Sequence, residues 1–269
     1  MERRKRIRGT PVCYFSEVLK LLVFDLDGTL ADTREDLWAS VNAALQRSGL
    51  PPLPLGTVME QVGNGARNLI RGSLRHALAA DAAGRGPGHA DPDEALVAAT
   101  LADFLEHYRE NCLVRTRAYP GTAEALASLG GYRMAVLTNK PGEPARRILE
   151  GLGLAGRFDA IVGGDSPHGK KPDPAGLLHL IAALGSTPAA TAMIGDGVQD
   201  ARAARRAGAA LLGYMDGIAP PEDMRAEAPD GEFSAMAELP GLVARLEARL
   251  GEGWKPVRVP VPDAEEARP

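Results

Sequence analysis

Short, uninterrupted apolar runs punctuate the chain: Leu21-Leu22-Val23-Phe24, Met134-Ala135-Val136-Leu137, Ala160-Ile161-Val162, Ala192-Met193-Ile194 and Ala209-Ala210-Leu211-Leu212. Runs of this length without polar alternation predict strands buried on both faces. Between the later four lie stretches with three-and-four spacing, such as Leu177, Leu178, Ile181 and Leu184 after Pro174, which predict helices with one buried face. The alternation predicts an α/β fold, a parallel sheet covered by helices on both sides.

The interval between the first two runs breaks this rhythm. About 110 residues separate them, where a simple crossover unit needs ~30. Three helical faces fall inside it: Leu37, Val41 and Leu45; Leu69, Ile70, Ser73, Leu74 and Leu78; and Val97, Leu101, Phe104, Leu105 and Tyr108. The spacing therefore predicts an all-helical domain at residues 34–112, inserted into an α/β core at residues 21–33 and 113–250. Asp81 to Pro92, rich in glycine and proline, is expected to be an exposed, mobile loop. Residues 1–20 form a basic extension, and the Pro-rich, charged stretch 251–269 is expected to be a loose tail.

Composition narrows the class. Of 269 residues, 45% are hydrophobic and 25% charged, as in a soluble globular chain, and 4% aromatic content implies an aliphatic core. The net charge is −4, and residues 21–269 hold 25 basic against 33 acidic side chains, which argues against a nucleic-acid partner. No apolar run approaches the ~18 residues that a membrane span needs, and the opening residues do not fit a signal peptide. Cys13 and Cys112 are too few and too distant for a disulfide framework or a zinc cluster, so a reducing, cytoplasmic setting is expected. Monomer and homodimer are both compatible with the sequence.

In an open parallel sheet, ligands bind at the carboxyl ends of the strands. Those ends read Asp25-Leu26-Asp27-Gly28-Thr29-Leu30, then Thr138-Asn139-Lys140-Pro141, then Gly163-Gly164-Asp165 running on to Lys170-Lys171-Pro172, and then Gly195-Asp196-Gly197-Val198-Gln199-Asp200. Carboxylates from two strands crowded together repel unless a cation sits among them, and oxygen-only ligands suit Mg²⁺. Thr138 and Lys171 supply a hydroxyl and an ammonium for a phosphoryl group, which points to phosphoryl transfer on a small-molecule phosphate ester.

In these residues the chain resembles the haloacid dehalogenase-like superfamily of phosphatases, over about residues 21–250. The resemblance implies a Rossmann-like core with an inserted helical cap. It makes Asp25 the nucleophile that forms an aspartyl-phosphate and a metal ligand. Asp27 becomes the general acid and base, with its backbone carbonyl on the metal. Thr138 and Lys171 hold the phosphoryl group, with Lys171 favoured over Lys170 because it directly precedes proline; Asp196 binds the metal, and Asp200 binds or supports it.

Within the insertion, Val62-Gly63-Asn64-Gly65-Ala66-Arg67 resembles the substrate loop of phosphoglycolate phosphatases, and Ala135 to Pro141 resembles the same branch. Gly63, Asn64 and Gly65, with Arg67 as an optional clamp, are therefore expected to receive a substrate carboxylate, and Asn139, beside Thr138, is a further candidate for substrate binding. The leading expectation is hydrolysis of 2-phosphoglycolate. The alternatives are a sugar-phosphate phosphatase, a pyrophosphatase or a phosphomutase of the same superfamily. A non-catalytic phosphoacceptor module also groups Asp, Thr and Lys at strand ends, but it carries no long helical cap.

Overall fold

The computed structural model describes residues 18–82 and 91–259. The basic run at residues 1–8, Cys13, the Gly-Pro segment 84–88 and the end of the tail lie outside the described residues. The chain begins with β1 (Leu21–Phe24) and β2 (Ala31–Asp32), then α1 (Arg34–Arg47), α2 (Leu55–Met59), α3 (Ala66–Ala82) and α4 (Glu94–Asn111). It continues through β3 (Arg117–Ala118), α5 (Thr122–Ser128), β4 (Arg133–Leu137), α6 (Gly142–Gly151), β5 (Ala160–Val162), α7 (Ala175–Ala183) and β6 (Thr191–Gly195). The last elements are α8 (Val198–Ala207), β7 (Ala210–Tyr214), α9 (Pro221–Ala226), β8 (Gly231–Phe233) and α10 (Leu239–Gly251).

Six strands form one parallel sheet in the order β5-β4-β1-β6-β7-β8. The uninterrupted apolar run of β1 has a simple cause. Leu22 and Phe24 join the core on one face, with Leu126, Ile148 and Leu246, while Leu21 and Val23 join the core on the other, with Leu177, Leu180 and Ala204. Period-two side chains with both faces covered leave no position for a polar residue. The five predicted strands match β1, β4, β5, β6 and β7; β8 is an additional edge strand. Asp81 and Ala82 complete α3, so the expected loop begins later than its composition suggested.

Helices α1 to α4 form the inserted cap. Val41, Leu45, Ile70, Leu74, Val97 and Phe104 meet in its interior. Two linkers join cap to core, and they run together: β2 pairs antiparallel with β3, Ala31 opposite Ala118 and Asp32 opposite Arg117. Asp36, in the first turn of α1, fastens this pair. Its carboxylate is buried and accepts from the Arg115 amide at 3.0 Å, the Thr116 amide at 2.8 Å and the Thr116 hydroxyl at 2.8 Å.

The chain leaves β1 toward β4 and β5, then returns to the other side of β1 for β6, β7 and β8. The strand order therefore reverses between β1 and β6. Crevices form at the carboxyl ends of strands at such a reversal, and Asp25, Thr138 and Asp196 follow β1, β4 and β6 there.

Candidate active site

A cavity of about 430 Å³ lies between these strand ends and the cap. Asp25, Asp27, Thr138, Asn139, Asp196 and Asp200 line its floor; Gly63, Asn64 and Gly65 line its roof. An apolar wall from Leu69, Phe104 and Leu105 of the cap completes it.

Lys171 organises the carboxylates. Its buried ammonium lies 2.8 Å from Asp25 Oδ1 and 2.6 Å from Asp200 Oδ1. Burial disfavours its charge, but the Asp200 and Asp25 carboxylates more than offset this and hold its pKa above the ordinary value. The register favoured in the sequence is the one observed: Lys171 is inside, whereas Lys170 is exposed.

Asp196 is held by other means. Its Oδ1 accepts from the Thr29 hydroxyl at 3.0 Å, and its Oδ2 accepts from the amides of Ile218 at 2.9 Å and Ala219 at 3.1 Å. Gly28, at φ +82°, lies against this carboxylate, and a Cβ there would overlap it. A left-handed turn and close approach both require glycine at that position. Asp200 combines two tasks on one side chain: Oδ1 meets Lys171, while Oδ2 accepts from the Gly197 amide at 3.1 Å and so closes the first turn of α8.

Asp25, Asp196 and Asp200 each offer a carboxylate oxygen, all within 4.8 Å of one another. This crowding is electrostatically unfavourable. Burial, only partly opposed by Lys171, pushes the Asp25 pKa up to about 7. Burial and the neighbouring Asp25 push Asp196 up to about 6, and burial raises Asp200 against the pull of Lys171. An anionic, all-oxygen donor set with uncompensated charge fits a hard divalent cation.

Asp27 faces a different environment. Its Oδ1 accepts from the Thr33 hydroxyl at 2.7 Å and lies 3.0 Å from the ammonium of Lys140. Lys140 is buried; it donates to the Tyr108 hydroxyl at 2.9 Å and lies over the Tyr108 ring, 4.5 Å from its centroid. Burial, reinforced by the Asp27 charge, pushes the Tyr108 hydroxyl well above the ordinary phenol value. It stays neutral and can accept from the lysine.

The cap loop docks directly on the core. Asn139 Nδ2 donates to the carbonyls of Gly63 and Lys171, each at 2.8 Å, and Gln199 Nε2 donates to Asn64 Oδ1 at 2.7 Å. Gly63 and Gly65 both have positive φ. Arg67, expected as an optional clamp, does not line the cavity: its guanidinium pairs with Glu94, and its side chain is 47% exposed. The sequence reading missed Lys140, Tyr108 and Thr33 as neighbours of Asp27, and the Ile218–Ala219 amides as holders of Asp196. His168, adjacent to the third strand end, stacks on His179 and stands apart from the cluster.

A model of the haloacid dehalogenase-like hydrolases matches residues 19–208. The chain belongs to the haloacid dehalogenase-like hydrolases. Among relatives in this family, a protein named phosphoglycolate phosphatase from Pseudomonas putida is 39% identical over 225 residues, spanning 82% of this chain and 79% of that protein. One of the same name from Rhodospirillum rubrum is 36% identical over 236 residues, spanning 86% and 95%. The crystal structure of a predicted phosphoglycolate phosphatase from Haemophilus somnus superposes with a TM-score of 0.76 at 32% identity, covering 83% of this chain and 97% of that one. The parallel-sheet core with an inserted helical cap is thus shared with other haloacid dehalogenase-like hydrolases.

Proposed function

We propose that this enzyme, a phosphoric monoester hydrolase, cleaves 2-phosphoglycolate to glycolate and phosphate through an aspartyl-phosphate on Asp25. The observation that carries the reading is the position of the Asp25 carboxylate. It opens to the cavity with 14% of the side chain exposed, is held by Lys171 at 2.8 Å, and adjoins two further carboxylates able to share a divalent cation. The names of the relatives and the match of the cap loop support 2-phosphoglycolate as the ester.

Asp25 attacks phosphorus while Asp27, fixed by Thr33, donates a proton to the departing glycolate oxygen. As a carboxylate, Asp27 then takes a proton from the water that attacks phosphorus, releasing phosphate and restoring Asp25. Thr138 and Lys171 hold the oxygens of the transferring group, and Lys171 offsets their charge. A divalent cation, Mg²⁺ in our reading, would be held by Asp25, Asp196 and Asp200 and supplies the charge that lets an anionic ester approach an anionic nucleophile. The docked loop of Gly63, Asn64 and Gly65 and the apolar cap wall exclude bulk water.

A panel of esters assayed with and without Mg²⁺ tests this reading. We expect phosphate release to require the ion and 2-phosphoglycolate to exceed sugar phosphates and pyrophosphate in kcat/KM. Equal or faster hydrolysis of a sugar phosphate or pyrophosphate would reassign the substrate. Isomerised ester without phosphate release would indicate a phosphomutase, and no turnover on any ester would leave a phosphoacceptor module.

A further inference from the structure

A small acid bearing both a phosphoryl group and a carboxylate presents two anionic ends, and the cluster around Asp25 provides for only one of them. Among the described residues that line the cavity, Lys140 alone carries a positive side chain. Lys171 is committed to the phosphoryl end, where it pairs with Asp25 and Asp200, and Arg67 is engaged by Glu94 outside the cavity. An ammonium has three N–H donors. Lys140 directs one to the Tyr108 hydroxyl and one toward Asp27, which leaves a third for the cavity.

The placement relative to the reacting atoms matters more. Asp27 is the group that protonates the leaving oxygen, so an ammonium 3.0 Å from Asp27 stands beside that oxygen. In 2-phosphoglycolate a single methylene separates the ester oxygen from the carboxylate. The carboxylate of this ester therefore falls within reach of the same ammonium, whereas that of a longer acid is carried past it. The seat is preset: Tyr108, stacked on Phe104 at 5.4 Å, fixes Lys140 from the cap side, and Asp27 fixes it from the core side.

We propose that Lys140, seated between Tyr108 of the cap and Asp27 of the core, is the specificity-determining cation that binds the substrate carboxylate. This rests on the 2-phosphoglycolate reading above. It assigns to a residue of the second strand end the task that the sequence had assigned to the Gly63, Asn64 and Gly65 loop with Arg67 as an optional clamp.

The test compares 2-phosphoglycolate with ethyl phosphate, which carries a methyl group in place of the carboxylate, in the Mg²⁺-loaded wild-type enzyme and in Lys140→Gln. The wild type should strongly prefer 2-phosphoglycolate. Lys140→Gln loosens Asp27 and so lowers kcat on both esters, but kcat/KM for 2-phosphoglycolate should fall on the order of 30-fold further than for ethyl phosphate, with the extra loss in KM. Equal losses on the two esters would mean that Lys140 serves Asp27 alone, and the proposal would be wrong. A wild type without preference would instead remove the substrate reading, and the proposal with it. If Lys140→Gln does not fold, Lys140→Arg reads the same ratio, because a planar guanidinium cannot take the same seat; unequal losses support the assignment and equal losses overturn it.

Discussion

The three carboxylates of the site make stability depend on pH in an unusual direction, and a divalent cation should reverse it. Asp25 is pushed from an ordinary 3.8 up to about 7, and Asp196 up to about 6. Each group's folded pKa therefore lies above its unfolded one, so the folded state binds more protons than the unfolded state between about pH 4 and pH 7. Stability is present in full below the unfolded pKa and is lost as pH rises through the folded pKa. Keeping Asp25 ionised at neutral pH costs about 4 kcal/mol by this measure.

The paired surface carboxylates Asp91, Glu94 and Glu106 are shifted down by their arginine partners, so their contribution is already complete above about pH 4.5 and does not obscure the window. A cation that relieves half of the Asp25 cost, ~2 kcal/mol, corresponds to a rise in Tm of ~4–8 °C for a chain of this size. The assay is a set of thermal melts between pH 5 and pH 7.5, with chelator and with excess Mg²⁺. Without the ion, Tm should fall as pH rises across the window. With it, Tm should rise markedly at pH 7.5 and little at pH 5, where binding must first displace protons from the carboxyls. Asp196→Asn with chelator should be more stable than the wild type at pH 7.5. An equal effect of Mg²⁺ at both pH values, or a metal-free Tm that climbs with pH, would refute the reasoning.

Other substitutions probe separate parts of the account. Asp27→Asn should still fold but melt below the wild type, because the buried Lys140 ammonium loses its paired charge, and it should stop turnover, because the leaving oxygen loses its proton donor; steady-state phosphate release measures this. Gly28→Ala should cost about 1–3 kcal/mol in urea unfolding through its positive φ and should also weaken Mg²⁺ binding by displacing Asp196, which titration calorimetry reads. Asp36→Ala leaves the Arg115 amide and the two buried Thr116 donors unpaired and should cost about 3 kcal/mol or more, seen as a lower denaturation midpoint, with the cap linkers exchanging amide hydrogens faster.

What the sequence reveals depends on how locally each feature is written. Asp25 and Asp27 are legible because they follow a fully apolar strand without interruption, and Lys171 because its proline neighbour sets the register. Lys140 is not legible as a site residue: lysine is ordinarily solvated, and its partners come from distant segments, Asp27 through the pairing of β1 with β4 and Tyr108 through the cap. Arg67 misleads for a geometric reason. It follows Ala66, which lines the cavity, but at 3.6 residues per turn the next side chain on α3 is turned away, toward Glu94. The edge strand β8 escapes notice because only Phe233 of its three residues is buried. The amides that hold Asp196 carry no side-chain signature at all.

The central claim is a covalent bond between Asp25 and phosphorus. It is tested most directly by acid-quenching the enzyme during turnover of the best ester in the panel, labelled in its phosphoryl group, and mapping the label by peptide mass. The account predicts a single acyl-phosphate on Asp25, absent from an inactive Asp25→Asn. Label on another residue, or turnover that survives Asp25→Asn, would contradict it.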